Sequence, residues 1–190
     1  MKHLTKTSVG VLLASSLAGC ISAEKPERPN LLFIFPDQMR QMSFGVDKTD
    51  PVITPNLDRF ARESLELTNA VSTCPLSSPY RGMLMTGKYP FNNGIIGNCQ
   101  SRNAKYDVTW RESDTSFSDV LYHAGYNTAY VGKLHLTSPA SGDTGKVVYQ
   151  AYTPGNERHN FEYWYSYGAE DTHLNPGYWI GGAPESDYTR

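Results

Sequence analysis

The sequence predicts an α/β fold with a mostly parallel, mixed sheet and helices on both faces. Three observations carry that expectation. A continuous apolar run, Leu31-Leu32-Phe33-Ile34-Phe35, follows Pro29, as in a strand buried on both faces. Thr54-Pro55 opens a segment in which Leu57, Phe60, Ala61 and Leu65 recur at helical spacing. Residues 116–124 repeat that period and run into a second extended segment at 127–131. Strand and helix alternate, which is the pattern that lays strands side by side in parallel.

The elements follow in order. Lys2 and Lys6 precede an apolar stretch from Val9 to Leu17, and Leu17-Ala18-Gly19-Cys20 ends it with small residues and a cysteine. That stretch is too short to span a bilayer as a mature helix. It resembles a bacterial lipoprotein signal, residues 1–20, in which Cys20 is lipidated; a plain cleaved signal with an incidental cysteine is the alternative. Either way export is expected, to the periplasm or the cell surface, with the membrane touched only through a lipid anchor. Residues 21–28 form a polar tether. After the first strand, Pro36 stops the ladder. In the helix after Pro55, Asp58, Arg59, Arg62 and Glu63 fall outside the apolar stripe. A short strand is expected at 67–71 and a helix at 79–86 ending at Gly87. The helix at 116–124 aligns Phe117, Val120, Leu121 and Ala124, with Gly125 as its C-terminal cap. His123 on that helix is structural in this arrangement. Residues 137–160 are rich in Gly, Pro and Ser and read as loop, and the stretch from Phe161 is aromatic and turn-rich. Sites in such folds gather beyond the carboxyl ends of strands, where Asp37, Ser77 and Lys133 are all expected.

Composition narrows the function. The chain has 190 residues, a net charge of −2, 39% hydrophobic and 12% aromatic content, enough for a sizeable core. No basic stripe is available to neutralise phosphates, so a nucleic-acid partner is not expected. Of three cysteines, Cys20 belongs to the leader, and Cys74 and Cys99 either pair or stay free.

Ser77-Ser78-Pro79-Tyr80-Arg81-Gly82 leads into Thr86-Gly87-Lys88-Tyr89-Pro90. A helix N-terminus presents N–H groups and a positive dipole end to an anion, and Arg81, one turn on, can hold an oxygen with its charged fork. A bare serine is a weak nucleophile and needs activation by a base or a metal. The segment resembles the sulfatase signature, Cys or Ser followed by x-Pro-x-Arg and then Thr-Gly. The nucleophile slot falls on Ser77. Cys74, with Pro75 directly after it and Ser78 where the arginine belongs, does not fit.

Two further segments extend the resemblance. Pro29-Asn30 before the first strand and Asp37-Gln38 after it are similar to the sulfatase start, where an acidic pair binds calcium. Here the pair is one acid short. Gly132-Lys133-Leu134-His135-Leu136 is similar to the family's Gly-Lys-Trp-His-Leu, with leucine for tryptophan. Lys133 and His135 alternate on an extended backbone and so face one side. A lysine can neutralise sulfate oxygens, and a histidine can accept a proton near neutral pH.

The resemblance implies a sulfuric ester hydrolase of the alkaline-phosphatase superfamily, acting on a sulfated carbohydrate. Ser77 would be oxidised to formylglycine by a radical-SAM maturing enzyme. Ca2+ would be held by Asp37, Gln38 and the modified residue 77, and catalysis carried by residue 77, Arg81, Lys133 and His135. His173, in an acidic aromatic-flanked loop, would contact the sugar or be a surface loop residue. A phosphate or phosphonate ester hydrolase and an inactive lipid-anchored glycan-binding fragment are the rivals. The family's second metal pair, leaving-group histidine and further lysine cannot be assigned in this chain. Residues 29–190 therefore read as the N-terminal part of a truncated catalytic domain.

Overall fold

The computed structural model describes residues 28–140, 146–169, 174–175 and 177–180. The leader, Cys20, most of the tether and His173 lie outside them. Chain contacts divide the molecule into two units, Met1–Glu66 and Leu67–Arg190.

In the first unit the expected strand at 31–35 does not form. The run carries no ladder, and its side chains are exposed, Leu32 at 85%. A doubly buried strand needs a hydrogen-bonded neighbour and a cover on each face. The described part of this unit supplies neither. Helix α1 (Pro55–Arg62) forms where expected, with Pro55 in its first turn. Thr54 precedes it but does not cap it with its side chain. Its hydroxyl instead accepts from the Gly45 amide and donates to Asp58 Oδ1, each at 2.7 Å. Leu57, Phe60 and Leu65, expected to be core, are exposed, because the described part of this unit places nothing against that stripe.

The second unit holds the sheet. The strand expected at 67–71 is a turn with Leu67 and Val71 exposed. Helix α2 (Ser77–Thr86) begins two residues before the expected start and ends at Gly87, whose φ of 66° is the left-handed cap that glycine supplies cheaply. A short helix α3 (Pro90–Asn93) follows. Helix α4 (Phe117–His123) is opened by a capping box: Ser116 Oγ accepts from the Ser118 amide, and the Ser116 amide donates to Asp119.

Strand β1 (Ala129–Lys133) lies two residues further on than expected. It pairs in parallel with β2 (Tyr163–Tyr167), Ala129 opposite Tyr163 and Lys133 opposite Tyr167. Strand β3 (Trp179–Ile180) adds antiparallel to β2, which makes a three-stranded mixed sheet. Both β2 and β3 come from the stretch read as turn-rich. The missed signal is alternation: Trp164 and Ser166 are buried, whereas Tyr163 is exposed and Tyr165 and Tyr167 are half-buried. Aromatic residues suit such a pleated, half-buried surface.

The core gathers Met85 of α2, Trp164 of β2, and Ile95, Cys99, Val108, Trp110, Leu134, Leu136 and Phe161 from the connections. Gly82 lets α2 approach that core. A Cβ there would meet Ile95 Cδ1 at 2.8 Å and Asn93 Nδ2 at 3.2 Å, and both neighbours are fully buried. Helix propensity favours alanine by up to about 1 kcal/mol, but overpacking costs about 1–3 kcal/mol, so overpacking wins. Gly82→Ala is expected to lower the urea midpoint; an unchanged or higher midpoint would show that Ile95 can move aside.

Candidate active site

Four of the sequence-predicted residues meet at the carboxyl end of β1. Ser77 is half-buried in the first turn of α2, and its Oγ lies 2.9 Å from His135 Nδ1. Arg81, one turn on, is buried at 4% exposure, not on the surface, and its Nη1 donates to the Lys133 carbonyl at 2.6 Å. The Tyr130 hydroxyl donates to the same carbonyl. Burial pushes the Tyr130 phenol up to about 12, against the opposing pull of Arg81, so the phenol stays a donor. Two donors thus pin the last residue of the strand beside the helix that carries Ser77.

His135 departs from the extended alternation expected of it. The strand ends at Lys133, and His135 takes a φ of 52°, in the left-handed region. Its ring is buried and reaches Ser77 from that turn, not from a strand face. The His135 Nε2 donates to the Cys99 carbonyl at 3.1 Å, because a carbonyl has no proton to offer. The neutral ring therefore carries its proton on Nε2, and the Nδ1 lone pair accepts from the Ser77 hydroxyl. A ring nitrogen at 2.9 Å from the residue 77 hydroxyl is within reach to accept its proton. The Tyr149 ring stands edge-on to the imidazole, centroids 5.9 Å apart, and is partly exposed above it.

Sequence reasoning did not place Ser78, Asn98, Cys99 or Tyr149 at the site. Ser78 stands inside the motif and was open to notice; the other three carry no pattern, and only the chain path brings them in. Cys74 and Cys99 are both free thiols. Burial pushes the Cys99 thiol up to about 12, the Ser78 contact opposing, which makes it a poor nucleophile or metal ligand.

Asp37 and Gln38 lie in the first unit, both exposed, with Gln38 at a φ of 59°. They offer hard oxygens of the kind calcium takes. Among the described residues, no group of three or more His, Cys, Asp or Glu side chains is gathered to hold a metal. Also among them, no helix is long and apolar enough to cross a membrane.

Comparison with known proteins gives this arrangement its context. The family model described as Sulfatase matches residues 29–185. The Endo-4-O-sulfatase of Bacteroides thetaiotaomicron is 44% identical over 90% of this chain, which spans 38% of that relative's length. The N-acetylglucosamine-6-O-sulfatase of the same organism is 33% identical over 75% of the chain and 24% of its own length. The crystal structure of yidJ, a candidate sulfatase of Bacteroides fragilis, superposes with a TM-score of 0.83 at 42% identity, over 90% of this chain and 38% of that one. With the Ser77–Arg81 segment at a helix N-terminus and His135 against it, the chain belongs to the sulfatase family and has the α/β fold of its alkaline-phosphatase-like members.

Proposed function

We propose that this chain supplies the nucleophile-bearing part of a sulfuric ester hydrolase that removes sulfate from a carbohydrate. The observation that carries the proposal is the 2.9 Å contact between Ser77 Oγ and His135 Nδ1 at the start of α2. The carbohydrate is supported by the names of the relatives, an Endo-4-O-sulfatase and an N-acetylglucosamine-6-O-sulfatase among them.

In this proposal Ser77 is oxidised by a radical-SAM maturing enzyme, losing two hydrogens to become formylglycine. The hydrated aldehyde would supply the attacking oxygen, its new O–S bond replacing the ester's O–S bond as the sugar leaves as its alcohol, and sulfate would then leave as the carbonyl returns. The chain's own residues do the rest. The N-terminus of α2 and the Arg81 guanidinium favour a tetrahedral anion beside residue 77. Lys133 adds positive charge from the strand end. His135 Nδ1 takes the proton from the hydroxyl of residue 77, and the Nε2–H bond to Cys99 keeps that nitrogen free to do so.

Mass spectrometry of the Ser77 peptide, from a host containing the maturing enzyme, tests the nucleophile. A peptide lighter by two hydrogens is expected, and one that never loses them would remove it. Parallel turnover of an aryl sulfate and an aryl phosphodiester separates the sulfatase from a phosphate ester hydrolase.

Calcium takes about six to eight oxygens, and the donors described here fall short of that set. Asp37, with Gln38, is proposed to contribute to a calcium site that these residues alone do not complete, and no step is derived through it. Calorimetry on this polypeptide is expected to show at most weak calcium binding. Tight one-to-one binding would contradict that. The leader further suggests an exported lipoprotein anchored through Cys20. Incorporation of a labelled fatty acid should vanish in Cys20→Ala, and its persistence would rule the anchor out.

A further inference from the structure

We infer that Ser78 is a positioning residue that fixes the ring tautomer and the turned backbone of His135; the inference rests on the site proposed above. Ser78 follows the candidate nucleophile and is 0% exposed. Its hydroxyl is used twice. It donates to the His135 carbonyl at 2.6 Å and accepts from the Cys99 amide at 2.9 Å. The Cys99 carbonyl in turn accepts from His135 Nε2 at 3.1 Å. The three bonds close a circuit through α2, the Cys99 segment and the turn after β1.

Burial gives the circuit its force. Cys99 is 0% exposed and His135 3%, so water does not replace a lost partner. One side of the circuit holds the backbone of His135, whose φ of 52° a residue with a Cβ does not favour. The other side holds the Cys99 carbonyl against Nε2 and so decides which nitrogen carries the proton. The output is the Nδ1 lone pair aimed at Ser77 Oγ, 2.9 Å away. Ser78 never touches the reacting atoms; it acts through His135. Without its hydroxyl the bonds to the His135 carbonyl and from the Cys99 amide are lost, which loosens the hold on the Cys99 carbonyl and on the backbone of the ring and eases exchange of the proton between the nitrogens.

The test uses the full chain labelled with 15N-histidine, with the ring neutral. Multiple-bond nitrogen–proton spectra report the tautomer of His135, and hydrogen exchange reports the Cys99 amide. In the wild type, Nε2 should carry the proton and the Cys99 amide should exchange at least roughly tenfold more slowly than exposed amides. In Ser78→Ala the two ring nitrogens should drift toward a tautomer mixture, with Cys99 protection lost roughly tenfold. Ser78→Thr, which keeps the hydroxyl, should restore the wild-type pattern. Asn98→Ala removes the acceptor of the Ser78 amide, 3.2 Å away, and loosens the start of α2 without breaking the circuit, so the tautomer should not change.

A Ser78→Ala ring unchanged in tautomer, or a wild-type ring protonated on Nδ1, overturns the inference. Should Ser78→Ala fail to fold, the wild-type spectra and Ser78→Thr decide it, a mixed tautomer in either being fatal. None of these readouts needs turnover or conversion of Ser77. A Ser77 that is never converted to formylglycine in a host with the maturing enzyme would refute the proposed function and leave this inference standing.

Discussion

Ser77→Ala, placed in the active enzyme that carries this sequence, should reduce release of sulfate by on the order of 10⁴-fold or more. The size follows from what is lost. Alanine has no oxygen to oxidise or to attack with, and among the described neighbours the Ser78 hydroxyl is committed to the His135 carbonyl. Cys74 does not fit the nucleophile slot, and Cys99 is buried and held as a neutral thiol. The variant should keep its affinity for a sulfated glycan, because Arg81 and the helix N-terminus are untouched. Initial rates with an aryl sulfate, beside glycan binding by calorimetry, check both halves. Full activity with alanine at residue 77 would end the covalent proposal. Loss of glycan binding along with turnover would show that the residue anchors substrate as well.

Trp164→Ala is the second large effect, and it acts on the fold. Trp164 is 2% exposed in the middle of β2, opposite Tyr130 in the register. Its ring stacks near Tyr130 at 5.3 Å and lies 6.1 Å from Phe161, with the Arg158 guanidinium 5.0 Å above it. Truncating a buried tryptophan costs about 3–5 kcal/mol, against a typical domain stability of about 5–15 kcal/mol. The variant should therefore lose a large part of its cooperative unfolding transition. Tyr163→Ala, next door on the exposed face, should cost less than about 1 kcal/mol. Urea titrations followed by near-ultraviolet circular dichroism distinguish the two. Equal costs would mean that β2 does not bury the face described.

The loss at Trp164 should also reach the site. Tyr130 packs on Trp164 and sends its hydroxyl to the Lys133 carbonyl, which Arg81 also holds. Loosening that ring frees the end of β1, from which the chain turns back through His135.

Local signals in the sequence proved reliable where the structure needs only neighbours in the chain. Pro55 in a first turn and Gly87 beyond the end of α2 each settle a helix terminus from a few residues. They failed where an element needs distant partners. The run at 31–35 and the stripe of α1 have the apolar character of core, yet both are exposed in their unit. Hydrophobicity states a demand for cover and does not supply it. Conversely β2 lies in a tyrosine-rich stretch where alternation is only a weak signal, and its ladder partner β1 stands some thirty residues away in the chain.

The sequence by itself determined the membership in a family and the Ser77–Arg81 motif that carries it, since these are matters of residue type and spacing along one segment. Only the tertiary structure decided which nitrogen of His135 faces Ser77, that Arg81 holds the end of a strand, and that Ser78 and Cys99 stand behind the imidazole. The reason is physical. A proton's place on a buried ring depends on which carbonyl the chain path brings within about 3 Å, and that path is set by the packing of the whole unit.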